Sequence, residues 1–269
     1  MSTPLSFTSA TPFHAGFVPQ KFRAYTEHQI DQIAPLEHLS EEQRFSMRVV
    51  ASVLPFRVNQ YVIAELIDWD NVPEDPMFQL TFPQAGMLSP SAFSRMASLL
   101  KSRANAREIK DLAGELRQEL NPHPAEQQTL NVPNLDGNAV HGMQHKYKET
   151  VLFFPSQGQI CHAFCTFCFR WAQFVGDKAL RFATSEADGL KRYLKQHPEV
   201  SDVLITGGDP LVMKTTNLKT YLEALLDPDL EHVTSIRIGT KALSYWPYRF
   251  VTDDDADDLL RLFETLAER

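Results

Sequence analysis

The chain has 269 residues, 43% of them hydrophobic and 22% charged, and a formal net charge of −8. That length holds one large domain or two modest ones, and the apolar-to-charged balance is ordinary for a globular protein. The negative charge excludes a broad nucleic-acid footprint, which needs a basic face, and no stretch reaches the roughly 20 apolar residues that span a bilayer.

The opening MSTPLSFTSATPFHAGFVPQ lacks the basic n-region and apolar core of a signal peptide. An odd, clustered set of cysteines does not make a secreted disulfide framework, so a reducing cytoplasm is the expected setting. After a loose start, the chain to Asp70 reads as mostly helical. Ser40-Glu41-Glu42-Gln43 is a capping-box pattern ahead of an apolar run that Pro55 closes. Asn71 to Pro76 is turn material, and Thr81 to Pro90 is irregular. Two further helices are expected, over Ser91 to Arg103 and Asn105 to Leu120. The second carries Ile109, Leu112, Leu116 and Leu120 at helical spacing. Ala125 to Gly142 reads as an extended loop with a turn at Asn134 to Gly137.

The pattern then changes. Val151 to Phe154, Asp202 to Thr206 and Val233 to Ile238 read as buried strands. They alternate with helices over Ser185 to His197 (capped by Ser185), Thr216 to Leu226 and Asp253 to Glu268. Such alternation makes parallel βαβ units. The fold class is therefore α/β, with a mainly helical region over residues 1–145 and a parallel-stranded region over 146–269.

All three cysteines fall within eight residues, as Cys161-His-Ala-Phe-Cys165-Thr-Phe-Cys168, just after the first of these strands. The CxxxCxxC spacing suits three thiolates on one iron–sulfur cluster. Three ligands on four irons leave one metal position open, where substrate chemistry can occur. Structural zinc is the rival, with His162 as fourth ligand, although its adjacency to Cys161 makes tetrahedral ligation awkward; inert buried thiols are the other. Gly207-Gly208-Asp209-Pro210-Leu211 follows the second strand, so both loops are expected on the C-terminal rim where parallel sheets gather ligands. The glycines also fit an ordinary turn. Arg170, two residues past Cys168, could grip a carboxylate or form a surface salt bridge. Phe167, between two of the cysteines, is expected at a pocket edge, whereas Phe169 and Trp171 read as core. His141 and His145 read as a loop or surface pair.

With these motifs in order, the chain resembles the radical S-adenosylmethionine superfamily and, within it, the lysine 2,3-aminomutase family. The resemblance rests on Tyr147 to Phe154 leading into the cysteines, Cys168-Phe-Arg170, Leu204 to Leu211, Arg237-Ile-Gly-Thr240 and the later Pro247 and Arg249. It implies a partial (β/α) barrel in which Cys161, Cys165 and Cys168 ligate a 4Fe–4S cluster. Gly207, Gly208 and Asp209 would hold the methionine end of S-adenosylmethionine, with Phe167 near its adenine. Reductive cleavage would give a 5′-deoxyadenosyl radical. Family members that shift an amino group carry the substrate on pyridoxal phosphate, and the resemblance places Arg170 at the substrate carboxylate and Tyr147 beside that cofactor. It further implies an amino-acid substrate and a reducing donor such as flavodoxin or ferredoxin, with no nucleic-acid or membrane partner, and it allows a homo-oligomer.

The chain departs from the family pattern near Tyr147, where Lys146 and Thr150 replace arginines, and in a longer linker, Pro155 to Gln159. The family's Schiff-base lysine and the carboxylates for the substrate's far amino group would lie beyond Arg269. The chain is thus expected to be the N-terminal part of an aminomutase-like enzyme, its three strands leaving an open sheet edge. The same initiator working without pyridoxal phosphate, or a non-catalytic cluster protein, are the competing functions.

Overall fold

The computed structural model describes residues 18–126 and 128–268. The expected loose start over residues 1–17 lies outside the described residues. A short strand β1 (Ala24–Thr26) pairs antiparallel with β2 (Arg57–Asn59), and between them runs α1 (Glu41–Ala51). The Ser40 capping box forms as the sequence predicts: the Ser40 hydroxyl accepts from the Gln43 amide at 3.2 Å, and the Gln43 side chain accepts from the Ser40 amide at 2.9 Å. Three more helices follow, α2 (Pro76–Thr81), α3 (Pro90–Lys101) and α4 (Ala106–Glu119). Asn105 caps α4 through its side chain, and Ala113 and Leu116 face inward against Met96 and Val50.

The turn at Asp136-Gly137 is tighter than a loop reading allows. Both residues have positive φ, 51° and 81°. That geometry turns β3 (Asn134–Leu135) directly into β4 (Asn138–Ala139) as a two-residue hairpin.

The main sheet has four strands among the described residues, in the order β5-β6-β7-β8. These are β5 (Met143–Tyr147), β6 (Thr150–Phe153), β7 (Asp202–Ile205) and β8 (Ser235–Ile238). The last three are parallel and in register, so that Phe153, Ile205 and Ile238 end side by side. Helices α5 (Ala187–Gln196) and α6 (Thr215–Leu225) make the two crossovers. A short α7 (Ala242–Tyr245) and α8 (Ala256–Ala267) complete the order. Leu190, Leu194, Leu218, Leu222 and Leu259 pack on Val151, Phe153, Val203 and Ile205 to form the core.

Three expectations change. The sheet holds a fourth strand: β5 lies antiparallel along β6 and covers that edge, and the 145/146 division falls inside it. His145 is accordingly a strand residue, and its Nδ1 lies 2.6 Å from the Tyr193 hydroxyl. Ser185 does not cap α5. The preceding Thr184 is drawn into a parallel bridge with Pro155, and the helix starts only at Ala187, with no side-chain cap.

Candidate metal centre

The rim at the C-terminal ends of β6, β7 and β8 carries three loops. The ladder reaches up to it through the Thr206 amide on the Phe153 carbonyl and the Gly239 amide on the Ile205 carbonyl, each at 2.9 Å. The first loop makes a short 3₁₀ turn over Ser156–Gly158 and then presents Cys161, Cys165 and Cys168. All three are half-buried free thiols. The N-terminal region holds this loop from outside the sheet: the Phe164 amide donates to the Arg57 carbonyl and the Thr166 amide to the Leu80 carbonyl, both at 2.8 Å. Asn59 is fully buried and donates through Nδ2 to the carbonyls of His162 (3.2 Å) and Tyr245 (2.9 Å). Tyr245 in turn brings its hydroxyl to 3.4 Å from the Cys165 Sγ.

The glycine loop meets the cysteine loop directly. The Asp209 amide donates to the Ile160 carbonyl at 2.8 Å. A Cβ on Gly208 would stand 2.5 Å from both the amide nitrogen and the carbonyl oxygen of Ile160. Gly207 has φ of 131°, and a Cβ there would stand 2.2 Å from the Gln159 side chain. The bare backbone therefore serves the packing of one loop on the other. Both glycines keep partial exposure on the rim. Asp209 is buried, and its carboxylate is committed within the protein. Oδ1 accepts from the Thr240 hydroxyl (2.7 Å) and the Leu211 amide (2.9 Å), and Oδ2 from the Lys241 amide (2.8 Å), with His162 Nδ1 3.5 Å away. The carboxylate forms a clasp joining all three rim loops. Burial pushes the Asp209 carboxyl up, but His162, Thr240 and the Lys241 amide outweigh it and leave the group below the ordinary aspartate range.

The electrostatics around the thiols are mixed. Burial pushes the Cys161 thiol up, with Asp209 and the other two cysteines adding to it and Arg57 opposing. Burial likewise raises Cys168, against the backbone and charge of Arg170. Unassisted, these groups stay protonated, and a cation among them would favour the thiolates. Arg170 lies over the Phe154 ring at 4.4 Å and the Phe169 ring at 4.9 Å. Burial lowers its guanidinium to about 10, with Cys168 opposing, and its Nη1 is buried without a hydrogen-bond partner among the described residues. Among the described residues no three His, Cys, Asp or Glu side chains converge tightly enough for a single ion. The loop offers a trio of thiols that feel one another's charge. As a donor set, that trio fits a multi-iron cluster.

The structure brings together Cys161, Cys165, Cys168, Gly207, Gly208, Asp209 and Arg170 on or beside one rim. Phe167 and Phe169 project outward, 70% and 62% exposed. Phe169 is thus not core. Tyr147 is elsewhere. It pairs with Thr150 at the start of β6, because β5 runs antiparallel and its last residue falls at the far end of the sheet from the cysteines. The side chain is 62% exposed there. Arg57, Asn59 and Tyr245 were not legible as site residues. Two lie on a three-residue strand, the third on a single helical turn, and no local spacing links them to the cysteines.

These features define an α/β protein whose parallel strands end in a rim carrying a three-thiol loop clasped to a glycine loop. No protein-family model matches the chain. It is 30% identical over 230 residues to a protein of Aquifex aeolicus (strain VF5) that carries the provisional name L-lysine 2,3-aminomutase, covering 86% of this chain and 50% of that relative. It is 26% identical over 229 residues to the L-lysine 2,3-aminomutase of Bacillus subtilis (strain 168), covering 85% of this chain and 40% of that enzyme. With the L-lysine 2,3-aminomutase of Methanococcus maripaludis it shares 24% over 214 residues, 80% of this chain and 40% of the relative. The chain belongs to the lysine 2,3-aminomutase family. It spans about half the length, or somewhat less, of the curated relatives it matches. No helix among the described residues is long and apolar enough to cross a membrane.

Proposed function

We propose that the chain is the cluster-bearing part of a radical S-adenosylmethionine enzyme of the aminomutase type, on a partial (β/α) barrel, and that the whole protein shifts an amino group within an amino acid. Cys161, Cys165 and Cys168 would hold a 4Fe–4S cluster. The observation that carries this reading is the thiol trio on a rim loop clasped to the Gly207-Gly208-Asp209 loop through the Asp209 amide and the Ile160 carbonyl. When bound and reduced, such a cluster supplies the electron that cleaves S-adenosylmethionine to a carbon radical; a donor such as flavodoxin or ferredoxin would reduce it.

The chain's own residues set the conditions. The N-terminal core covers Ala163 and Cys165 and keeps water from that side of the loop. Arg57 and Arg170 place positive charge beside Cys161 and Cys168. The half-exposed Gly207-Gly208 backbone is the part of the glycine loop left to meet the methionine end, since Asp209 is spent on the clasp. Arg170, whose Nη1 has no hydrogen-bond partner among the described residues, is the group for a substrate carboxylate. Tyr147, which the resemblance places beside pyridoxal phosphate, pairs with Thr150 at the opposite end of the sheet from the cysteines. No step is derived through that cofactor, and the second reading is the same radical initiator without it.

Anaerobic reconstitution with iron and sulfide tests the proposal. We expect about four irons per chain and a reduced-cluster resonance that changes when S-adenosylmethionine is added. Cys165→Ala should lose the cluster. Full iron content in that variant would overturn the assignment.

A further inference from the structure

A cleft of about 620 Å³ opens between the end of α1, β2, the start of the cysteine connection and the segment around residues 173–181. Its size is that of a small-molecule site. One part of its wall is apolar, with Phe56, Ile160 and Phe164 among its residues. Arg57, Arg117, Lys178 and Arg181 also line it, against the carboxylates of Glu27 and Asp177. None of the four cations forms an ion pair among the described residues. In a chain of formal charge −8, this is a local inversion of sign.

Arg57 and Arg117 are half-buried, and burial depresses both guanidinium groups, with only partial relief from nearby negative charge. A bound anion would supply that relief.

We propose that this cleft binds a small organic dianion, a phosphate monoester or a dicarboxylate, whose apolar body meets the Phe56, Ile160 and Phe164 wall. The arginines would take the anionic end in bidentate fashion, and Lys178 and Arg181 would close the rim. This inference does not depend on the cluster.

The test uses the full chain as purified, titrated with inorganic phosphate and, separately, with succinate, at constant ionic strength with chloride as the reference. Melting temperature and calorimetric heats are followed together. At least one of the two anions should saturate and raise the melting temperature beyond chloride. Lys178→Gln and Arg181→Gln, both at exposed positions, should each weaken that binding on the order of tenfold while leaving the ligand-free melting temperature unchanged. Arg95→Gln, whose partners are Glu115 and Glu119 outside the cleft, should leave it unchanged. Phosphate alone as the active probe assigns the phosphate class; succinate alone assigns the dicarboxylate class. No stabilisation by either anion beyond chloride, or wild-type affinity in both rim variants, overturns the proposal. Iron content plays no part in the readout, so this result and the fate of the cluster assignment are read separately.

Discussion

The Tyr245 hydroxyl stands 3.4 Å from the Cys165 Sγ, in the core that the N-terminal region builds, on a residue only 2% exposed. As a thiol, either atom could donate. Once the sulfur ligates a metal it has no proton, and the hydroxyl must be the donor. A hydrogen bond to a cluster sulfur stabilises the more negative, reduced state and raises the potential. Tyr245→Phe removes that donor with little change in volume. The reconstituted variant should retain its iron, and its reduction equilibrium should shift toward the oxidised form by on the order of tenfold, about 59 mV for one electron. Spectroelectrochemical titration measures this, and a potential identical to that of the parent would remove the bond from the account.

The Asp209 clasp predicts a pH dependence. Its carboxyl lies below its ordinary value of 3.8 in the folded chain, so the unfolded chain binds the proton more readily. The sign follows: the carboxylate stabilises the fold above pH about 3.8, and that contribution drains away as the pH falls through the folded value. Asp209→Asn cannot accept equally from Thr240, Leu211 and Lys241, and should cost about 1–3 kcal/mol at pH 7. Urea midpoints of parent and variant should converge as the pH drops below 3.8, whereas a constant gap down to acid unfolding would show that charge is not what the clasp uses.

Glycine substitutions separate crowding from backbone freedom. At Gly208 an added Cβ meets Ile160 backbone at 2.5 Å and the Gly158 carbonyl at 2.7 Å, none of them the end of a flexible side chain. Gly208→Ala should therefore push the two rim loops apart and cost about 1–3 kcal/mol or more. Gly114, on α4, has nothing within 4 Å of its added Cβ. There Ala restores helix propensity and should stabilise by roughly 1 kcal/mol. Paired denaturant titrations check both, and equal effects at the two sites would contradict the crowding argument.

How far the sequence could be read follows from where its signals are local. The cap at Ser40 and the apolar spacing of α4 declare themselves within a few residues, and the structure builds those helices. The three parallel strands are short apolar runs between helices, legible for the same reason. β5 is not such a run. Met143-Gln144-His145-Lys146-Tyr147 is mostly polar, and it becomes a strand only because β6 offers an edge to pair with. Ser185 looks like a cap until Thr184 is seen bridging to Pro155. Within the site, the cysteines and glycines stand out by spacing. The groups that hold them do not: Asn59 reaches the His162 carbonyl across 103 positions, and Tyr245 reaches Cys165 across 80. The place of Tyr147 in the fold was not legible either. A resemblance places it beside a cofactor, and one antiparallel turn of chain carries it to the other end of the sheet.

Asn59 offers the most direct test of whether the N-terminal region builds the site or merely covers it. Its Nδ2 ties the cysteine loop to α7 through the His162 and Tyr245 carbonyls, while its Oδ1 accepts from the Tyr61 and Val62 amides at 2.8 and 3.0 Å. The residue has no exposure. Asn59→Ala strands four backbone groups and should cost about 2–4 kcal/mol. Asn59→Asp keeps the acceptor for the two amides but sets a carboxylate against two carbonyl oxygens. The folded chain must then favour the protonated acid, so the carboxyl introduced by this variant is raised above its unfolded value, and its penalty grows as the pH climbs past that value. At pH 7 the Asn59→Asp variant should be less stable than Asn59→Ala and should bind less iron on reconstitution than the parent; at pH near 4 it should recover toward the parent as the acid regains one donor. Urea midpoints of the three proteins at both pH values decide the matter. A pH-independent penalty would mean that the two carbonyls are not what this side chain holds.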